Sequence, residues 1–235
     1  MHHLRTLIII PCFNEEESLP NLIAEIKLVQ QELTHLNVLV VNDCSTDNTL
    51  EVAKASGVEI IDLPVNLGIG GAVQTGFLYA YLNDYDFAIQ LDGDGQHIPE
   101  EIKKLLYTAE KDKTDIVIGS RFIQKQGFQS SFLRRLGINY FFLINKIFTG
   151  LHILDGTSGF RLLNKKAFSF AAFNYPDEFP EPESIVIFAK QGFTIKETPV
   201  IMRERQGGQS SIRWFSQLYY IIKVSIAMFF SYIRK

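Results

Sequence analysis

The chain reads Phe87-Ala88-Ile89-Gln90-Leu91-Asp92-Gly93-Asp94-Gly95-Gln96 at the point that decides its fold. The first five residues are a strand-length, largely apolar run, and the next five are a polar, glycine-rich turn. A buried strand that opens directly into such a turn is typical of a parallel sheet, where ligands bind at the carboxyl ends of the strands. We therefore expect the chemistry of the protein to lie in the turns that follow its strands.

The same arrangement recurs on both sides of this stretch. Short apolar runs predict strands over residues 7–10, 38–41, 58–61, 87–91 and 116–118, and the segments between them predict helices over residues 19–33, 49–56, 71–82 and 99–110. Strands that alternate with helices predict an α/β fold, with a mostly parallel sheet covered by helices on both faces. A length of 235 residues fits one such domain with a small appendage.

Polar turns follow other predicted strands as well. The first strand leads into Pro11-Cys12-Phe13-Asn14-Glu15, the second into Asn42-Asp43-Cys44-Ser45-Thr46-Asp47, and the fifth into Gly119-Ser120-Arg121. Asp43 is suited to accept hydrogen bonds from a nucleobase or a ribose, whereas Asp47 is suited to cap a helix. The glycine-rich residues 66–71 open a helix, whose N-terminus could receive an anionic group.

Asp92 and Asp94 are separated by one residue at the end of a buried strand. Carboxylate oxygens suit Mg²⁺ or Mn²⁺, which bridge to substrate phosphates. A divalent metal in this turn would neutralise a diphosphate leaving group. The alternative is an ordinary surface turn, because Asp and Gly are common turn residues.

Charge is distributed unevenly along the chain. The net charge of -3 argues against general nucleic-acid binding. Residues 121–150 nevertheless contain five basic residues and no acidic one, and residues 203–235 contain six basic residues and one acidic. These stretches predict local anionic partners such as phosphates or acidic lipids. The two cysteines lie in polar turns and indicate a reducing compartment.

Residues 214–233 form a strongly apolar and aromatic segment. Lys223 near its middle disfavours a helix that spans a bilayer. We expect an amphipathic helix that lies in the membrane surface, with a helix packed on its own domain or in an oligomer interface as the alternatives. The expected division of the chain is a main domain over residues 1–210 and this helix over residues 211–235.

The motifs occur in an order that resembles the family 2 glycosyltransferases. They are, along the chain, Pro11-x-x-Asn14-Glu15, Asp43 with Ser45 and Asp47, Asn66-x-Gly68, Asp92-x-Asp94-x-Gln96, Gly119-Ser120-Arg121 and Ser158-Gly159-Phe160-Arg161. More narrowly, the chain is similar to the dolichyl- and polyprenyl-phosphate sugar synthases. The resemblance implies a catalytic domain of GT-A fold, a UDP- or GDP-sugar donor, Mg²⁺ or Mn²⁺, and inversion at the anomeric carbon.

The resemblance also implies roles for individual residues. The nucleotide sugar would be bound by Pro11, Asn14, Glu15, Asp43, Asn66, Gly68, Asp92, Arg203 and Arg205. The metal would lie among Asp92, Asp94 and Gln96. The acceptor phosphate would be bound by Arg121, Arg134, Arg135 and Ser158. The catalytic residues would be Asp94, Asp155 and Arg121. Such synthases often end in Arg-x-x-Gly-x-Ser-Lys, and here the lysine is missing, so Arg205 or Arg213 would replace it.

The chemistry of the acceptor favours a lipid phosphate. A phosphate monoester has a second pKa of about 6, so it is largely dianionic at neutral pH and needs cationic positioning more than a general base. The expected partners are therefore a nucleotide sugar, a polyprenyl phosphate and the cytoplasmic face of a membrane, with no nucleic acid. A homo-oligomer or a separate membrane protein would be a further partner.

Three other functions compete with this hypothesis. A saccharide or protein hydroxyl as acceptor would require a base, and Asp155 or Glu181 would supply it. A non-catalytic interaction module would keep the fold without the reaction. A nucleotidyltransferase is disfavoured, because residues 11–17 contain no glycine.

Overall fold

The structure is a computed structural model that describes residues 4–128, 132–178, 180–204 and 214–234, without the side chains of residues 132–134 and 214–218. Seven strands occur in these described ranges and form one sheet. They are β1 (Thr6–Cys12), β2 (Leu36–Asn42), β3 (Glu59–Asp62), β4 (Phe87–Gln90), β5 (Ile116–Ser120), β6 (Arg161–Asn164) and β7 (Ile195–Pro199). Their spatial order is β3-β2-β1-β4-β6-β5-β7.

Helices connect these strands. They are α1 (Leu19–Glu32), α2 (Thr49–Ala55), α3 (Gly68–Leu82), α4 (Ile102–Asp112, after a short 3-10 turn at Pro99–Glu101), α5 (Phe132–Thr149), α6 (Lys165–Asn174), α7 (Pro180–Lys190) and α8 (Trp214–Ile233). All five predicted strands are confirmed to within two residues at each end. Helix α3 begins three residues earlier than predicted, at Gly68.

Both faces of the sheet are buried, as continuous apolar strands require. Side chains alternate between the faces along a strand, so Leu7 and Ile9 of β1 pack into one core with Phe77 of α3. Ile8 and Ile10 point to the opposite face and pack into a second core, which includes residues of α1 and α4. The predicted α/β class and the mostly parallel sheet are confirmed.

Strand β6 is the exception to the parallel order. It runs antiparallel to β4 on one side and to β5 on the other, with Leu162 opposite both Ile89 and Val117. The chain therefore returns into the middle of the sheet after α5. This return brings residues 155–160, which precede β6, to the carboxyl ends of β4 and β5. Neither β6 nor β7 is among the five strands predicted from the sequence pattern.

The C-terminal helix α8 packs on the main body. Val224 and Met228 are buried against Phe141 of α5 and Val186 of α7. Within the ranges given above, none of the helices combines the length and the apolarity that a membrane span requires. The expected boundary between residues 210 and 211 lies outside the described residues, so the division of the chain stays a prediction.

Candidate active site

The turns after β1, β2 and β4 meet at one edge of the sheet. The backbone amide of Asn14 donates to Ser45 Oγ at 3.0 Å, and Asn14 Oδ1 accepts from the amide of Thr46 at 2.8 Å. Ser18 Oγ then donates to the carbonyl of Gly93 at 2.8 Å. Asn14 adopts a left-handed backbone with φ of 58°, which turns the chain sharply out of β1. The predicted convergence of polar turns is therefore present.

Gly93 allows the turn after β4 to approach β1 closely. A Cβ at this position would lie 2.9 Å from Cys12 Sγ and 3.2 Å from the carbonyl oxygen of Pro11. Glu15 lies beside this contact, and its carboxylate accepts a hydrogen bond from Ser18 Oγ at 2.8 Å. Pro11 and Glu15, both predicted to bind the nucleotide, thus border the turn that carries the two aspartates.

The two aspartates of this turn differ in their surroundings. The Asp92 side chain is 34% exposed, and its Oδ2 lies 3.8 Å from Nε2 of the buried His97. Gln90 Nε2 donates to Asp92 Oδ1 at 3.3 Å. Asp94 is buried, and its Oδ1 accepts from the amide of Gln96 at 2.9 Å. Asp92 is therefore the carboxylate that is more open to a ligand.

These residues fit a divalent metal that shares its coordination with a substrate. Within the described ranges, no group of three or more His, Cys, Asp or Glu side chains forms a metal cage. Mg²⁺ and Mn²⁺ are commonly held by one or two carboxylates, with substrate phosphates and water completing the shell. Asp92 and Asp94 offer such a donor set. The Gln96 side chain is only partly buried, and the peptide carbonyl of Gln96 accepts a hydrogen bond from the amide of Arg203.

Asp43 holds the loop that precedes α3. Its carboxylate accepts from the amides of Leu67 at 2.7 Å and Gly68 at 3.0 Å, and its carbonyl accepts from Asn66 Nδ2. Burial raises the pKa of Asp43, and the two amide hydrogen bonds offset part of that rise. Asp43 thus occupies the amides of Leu67 and Gly68, and anion binding at this helix N-terminus stays a prediction. Nucleotide binding by Asp43, Asn66 and Gly68 stays a prediction.

Arg121 and Asp155 form a buried ion pair. Arg121 Nε and Nη2 donate to the two carboxylate oxygens at 2.7 and 2.6 Å, and the Arg121 amide adds a bond of 3.0 Å. Burial lowers the pKa of Arg121, but the hydrogen bonds and charge of Asp155 outweigh it and raise the pKa above its usual value. The Asp155 amide in turn donates to Glu197 of β7 at 2.7 Å. The two residues predicted to bind the acceptor phosphate and to act as a base are thus paired with each other.

The loop before β6 is fixed by Arg161, a buried side chain. Arg161 donates to the carbonyls of Gly156 and Ser158 and to Ser184 Oγ, at 2.7 to 2.8 Å. Ser158 is buried, and its Oγ accepts from the amide of Phe160. Phosphate binding by Ser158 would therefore require this loop to rearrange, and it stays a prediction.

The remaining predicted arginines lie in different surroundings. Arg203 pairs with Glu25 of α1. Its predicted contact with the donor diphosphate stays a prediction. Arg135 is exposed near the start of α5, and the side chain of Arg134 is outside the described residues. Arg205 also lies outside the described residues.

One polar group in the site was not identified from the sequence. Gln90 is fully buried inside β4, and its Oε1 accepts from Tyr175 Oη at 3.4 Å. Glu181 at the start of α7 also approaches Gln90; burial raises the pKa of Glu181, while the charge of Arg161 lowers it and that of Asp92 raises it. The signal that could have found Gln90 is its position as the one amide in an otherwise apolar strand.

Known proteins share both the sequence pattern and the fold. Residues 7–170 match the family described as Glycosyl transferase family 2. A UDP-N-acetylglucosamine–dolichyl-phosphate N-acetylglucosaminyltransferase from Methanococcus voltae is 28% identical, over 82% of this chain and 83% of the relative. A polyprenol monophosphomannose synthase from Mycolicibacterium smegmatis is also 28% identical, over 88% of this chain and 81% of the relative.

The fold is also that of a solved glycosyltransferase. The structure is similar to glucosyl-3-phosphoglycerate synthase from Mycobacterium tuberculosis in complex with Mn²⁺, UDP and glucosyl-3-phosphoglycerate. The TM-score is 0.73 at 16% identity, over 97% of this chain and 80% of that chain. This likeness shows the GT-A fold. The family match over residues 7–170, which covers more than half of the chain, establishes that the chain belongs to glycosyl transferase family 2.

Proposed function

We propose that this protein transfers a sugar, with inversion, from a nucleoside diphosphate to a polyprenyl phosphate at the cytoplasmic face of a membrane. The observation that carries the proposal is the position of α5. Its inner side contacts the loop of Asp155, because a Cβ on Gly156 would lie 3.1 Å from Asn145 Nδ2 of α5. Its outer side exposes apolar side chains. One helix thus connects the candidate site with a surface suited to lipid.

Exposed apolar side chains occur on both α5 and α8, and the two helices contact each other. We define the α5–α8 face by four exposed residues of each helix, namely Leu136, Tyr140, Leu143, Ile147, Ile222, Ile226, Phe229 and Ile233. The helices are joined by a hydrogen bond of 2.9 Å between the hydroxyls of Tyr140 and Ser225 and by stacked rings of Phe148 and Tyr232. Neither helix contains an acidic residue. Such a face fits the interface of a bilayer that contains anionic lipids.

The relatives support a lipid-phosphate acceptor. Both compared relatives carry dolichyl phosphate or polyprenol in their names and match this chain over more than four fifths of its length. A dianionic phosphate can attack the anomeric carbon opposite the leaving diphosphate without a strong base. Asp155 is buried and bound to Arg121, which suits a residue that orients a cation better than one that removes a proton.

Other residues of the chain would bind the metal, the acceptor phosphate and the nucleotide. Asp92 and Asp94 would hold Mg²⁺ or Mn²⁺, which when bound supplies positive charge to the diphosphate leaving group. Arg121, with Arg134 or Arg135 from the start of α5, would bind the acceptor phosphate and offset its repulsion from the diphosphate. The turn after β1 and Asp43 would hold the nucleotide. Cys12 and Cys44 are unpaired, which suits the reducing cytoplasm.

The decisive experiment is a transfer assay on liposomes that contain undecaprenyl or dolichyl phosphate. A panel of UDP- and GDP-sugars would be supplied with Mg²⁺ or Mn²⁺, and product would be measured after chloroform extraction. We expect a lipid-soluble sugar that depends on the metal and on one donor. Asp94→Ala should abolish it, while Asp112→Asn, which loses only a surface pair with Lys196, should retain it.

Other outcomes would overturn the proposal in identifiable ways. Hydrolysis of the donor without a lipid product would indicate a saccharide or protein acceptor. The absence of any use of the donor would indicate a non-catalytic module. Sedimentation of the wild-type protein with vesicles tests the α5–α8 face separately. A stable dimer that fails to sediment with vesicles would instead assign this face to a second copy of the chain.

A further inference from the structure

Arg203, in the segment after β7, contacts the turn that follows β4 and carries Asp92 and Asp94. Its guanidinium binds both carboxylate oxygens of Glu25 on α1, at 2.8 and 2.9 Å. Its Nε donates to the carbonyl of Gly95 at 2.6 Å, and its amide donates to the carbonyl of Gln96 at 3.0 Å. Met202 also forms an antiparallel bridge with His97. The segment after β7 therefore runs along the turn that follows β4 and holds two successive carbonyls of it.

A single peptide group connects Arg203 with Asp94. The carbonyl of Gly95 accepts from Arg203 Nε, and the N–H of the same peptide unit, on Gln96, donates to Asp94 Oδ1 at 2.9 Å. Gly95 has a φ of 73°, in a region that glycine enters and leaves easily. A rotation of this peptide would withdraw the N–H from Asp94. The bond from Arg203 opposes that rotation, and it also polarises the peptide so that its N–H is a stronger donor.

Glu25 determines where the guanidinium can lie. A bidentate pair between a carboxylate and a guanidinium fixes the plane of the arginine as well as its distance. The side chains of Arg203 and Glu25 are 27% and 34% exposed, so the pair is only partly buried. Pairs this exposed contribute little to global stability. The geometry therefore points to a local role in holding the turn.

We infer that Glu25 and Arg203 are positioning residues for the metal carboxylate Asp94. They hold the peptide between Gly95 and Gln96 in the orientation in which its N–H donates to Asp94. The carboxylate of Asp94 is therefore held in position before the metal binds. This inference rests on the proposed function in one respect, since it takes Asp94 as a metal ligand. Groups that orient the ligands of a metal commonly change its affinity by about 10-fold or more when they are removed.

The test measures metal binding directly. Free Mn²⁺ would be followed by electron paramagnetic resonance during titration of the full chain in the presence of UDP or GDP. We expect Glu25→Gln to weaken Mn²⁺ binding about 10-fold. Turnover at saturating Mn²⁺ should stay within about twofold of wild type, because the pair acts on metal affinity and not on the reacting atoms. Arg203→Met should weaken binding further, and Arg203→Lys should recover part of the loss.

A second measurement does not need the metal. Hydrogen exchange of the amides over residues 93–97 should be faster in Glu25→Gln without metal, because the Gly95–Gln96 peptide is less restrained. The matched control is Glu32→Gln on the same helix, which loses an ion pair with Lys103 and should change neither reading. Thermal melting shows whether Arg203→Met is folded, and Glu25→Gln decides the question if it is not.

Failure of the positioning role and failure of the proposed function give different results. Wild-type Mn²⁺ affinity and wild-type exchange in Glu25→Gln would overturn the inference, and so would an equal loss in Glu32→Gln. If wild-type protein binds no Mn²⁺ with either nucleotide, the metal assignment of the proposed function fails, and the positioning role fails with it. If Mn²⁺ binds but no lipid product forms, the proposed polyprenyl-phosphate acceptor is wrong. Mn²⁺ affinity and hydrogen exchange still test the role of the Glu25–Arg203 pair in that case.

Discussion

Replacement of Gly159 by alanine should impair metal binding and sugar transfer by displacing Asp92, while leaving the fold intact. Gly159 lies against Asp92, and a Cβ on Gly159 would stand 2.7 Å from both carboxylate oxygens. Ordinary contact begins near 3.4 Å, so the carboxylate would have to retreat by about 0.7 Å. The φ of Gly159 is outside the left-handed region, so alanine introduces no backbone strain of its own.

The size of the effect follows from this displacement. A misplacement of about 1 Å at a reacting centre lowers rates by about 100-fold. We therefore expect Gly159→Ala to reduce lipid-linked product by about 30- to 100-fold, which corresponds to about 2–3 kcal/mol. The added methyl group should change the free energy of unfolding by no more than about 2 kcal/mol, because the small cost of crowding is partly offset by the lower entropy of the unfolded chain.

The assay is the liposome transfer reaction at increasing Mn²⁺, together with a thermal melt. The matched control is Gly137→Ala in α5, where a Cβ would meet nothing within 4 Å. Alanine is also the better helix former there, so this variant should be active and slightly more stable. If Gly159→Ala keeps both wild-type turnover and wild-type metal dependence, Asp92 does not hold the metal, and the assignment of the site is refuted.

Two further predictions concern stability. Gly70→Ala should lower the free energy of unfolding by about 2–3 kcal/mol, because its Cβ would lie 2.1 Å from the carbonyl oxygens of Pro176 and Asp177; an unchanged denaturation midpoint in urea would contradict this packing. Burial raises the pKa of Glu183, which accepts from Ser231 Oγ at 2.7 Å. The folded state therefore holds this proton more tightly than the unfolded chain, and stability falls as pH rises from about 4.3 through the folded pKa. Glu183→Gln should flatten that part of the pH–stability curve, and a curve identical to wild type would show that Glu183 titrates normally.

The local sequence pattern was sufficient to predict the strands in the first half of the fold. The apolar runs of β1, β2 and β4 are buried on both faces, so their hydrophobicity is continuous and their ends are marked by proline, aspartate and glycine. Because the carboxyl ends of parallel strands share one edge, the strand pattern alone predicts that the turns at Asn14, Asp43 and Asp92 meet. The order of these motifs was also enough to indicate the family.

The local sequence pattern could not predict which side chains of the site bond to one another. Asp43 is of a residue type that commonly binds ligands, yet its carboxylate accepts hydrogen bonds from two amides at the start of α3. Arg121 and Asp155 are 34 residues apart and form a buried pair. A charged residue in a turn is equally compatible with a ligand, a cap or an ion pair, and only the position of its partner separates these roles.

The sequence by itself determined the α/β class, the edge of the sheet where the polar turns meet, the DxD motif and the family. Tertiary structure alone decided that β6 returns antiparallel between β4 and β5, that α5 and α8 contact each other while both expose apolar side chains, and that Glu25 meets Arg203 across 178 residues. The physical reason is the range of the interactions. Strands, helices and turns follow from neighbours within a few residues, whereas strand order, shared faces and ion pairs depend on contacts between distant segments, which exist only after the chain has folded.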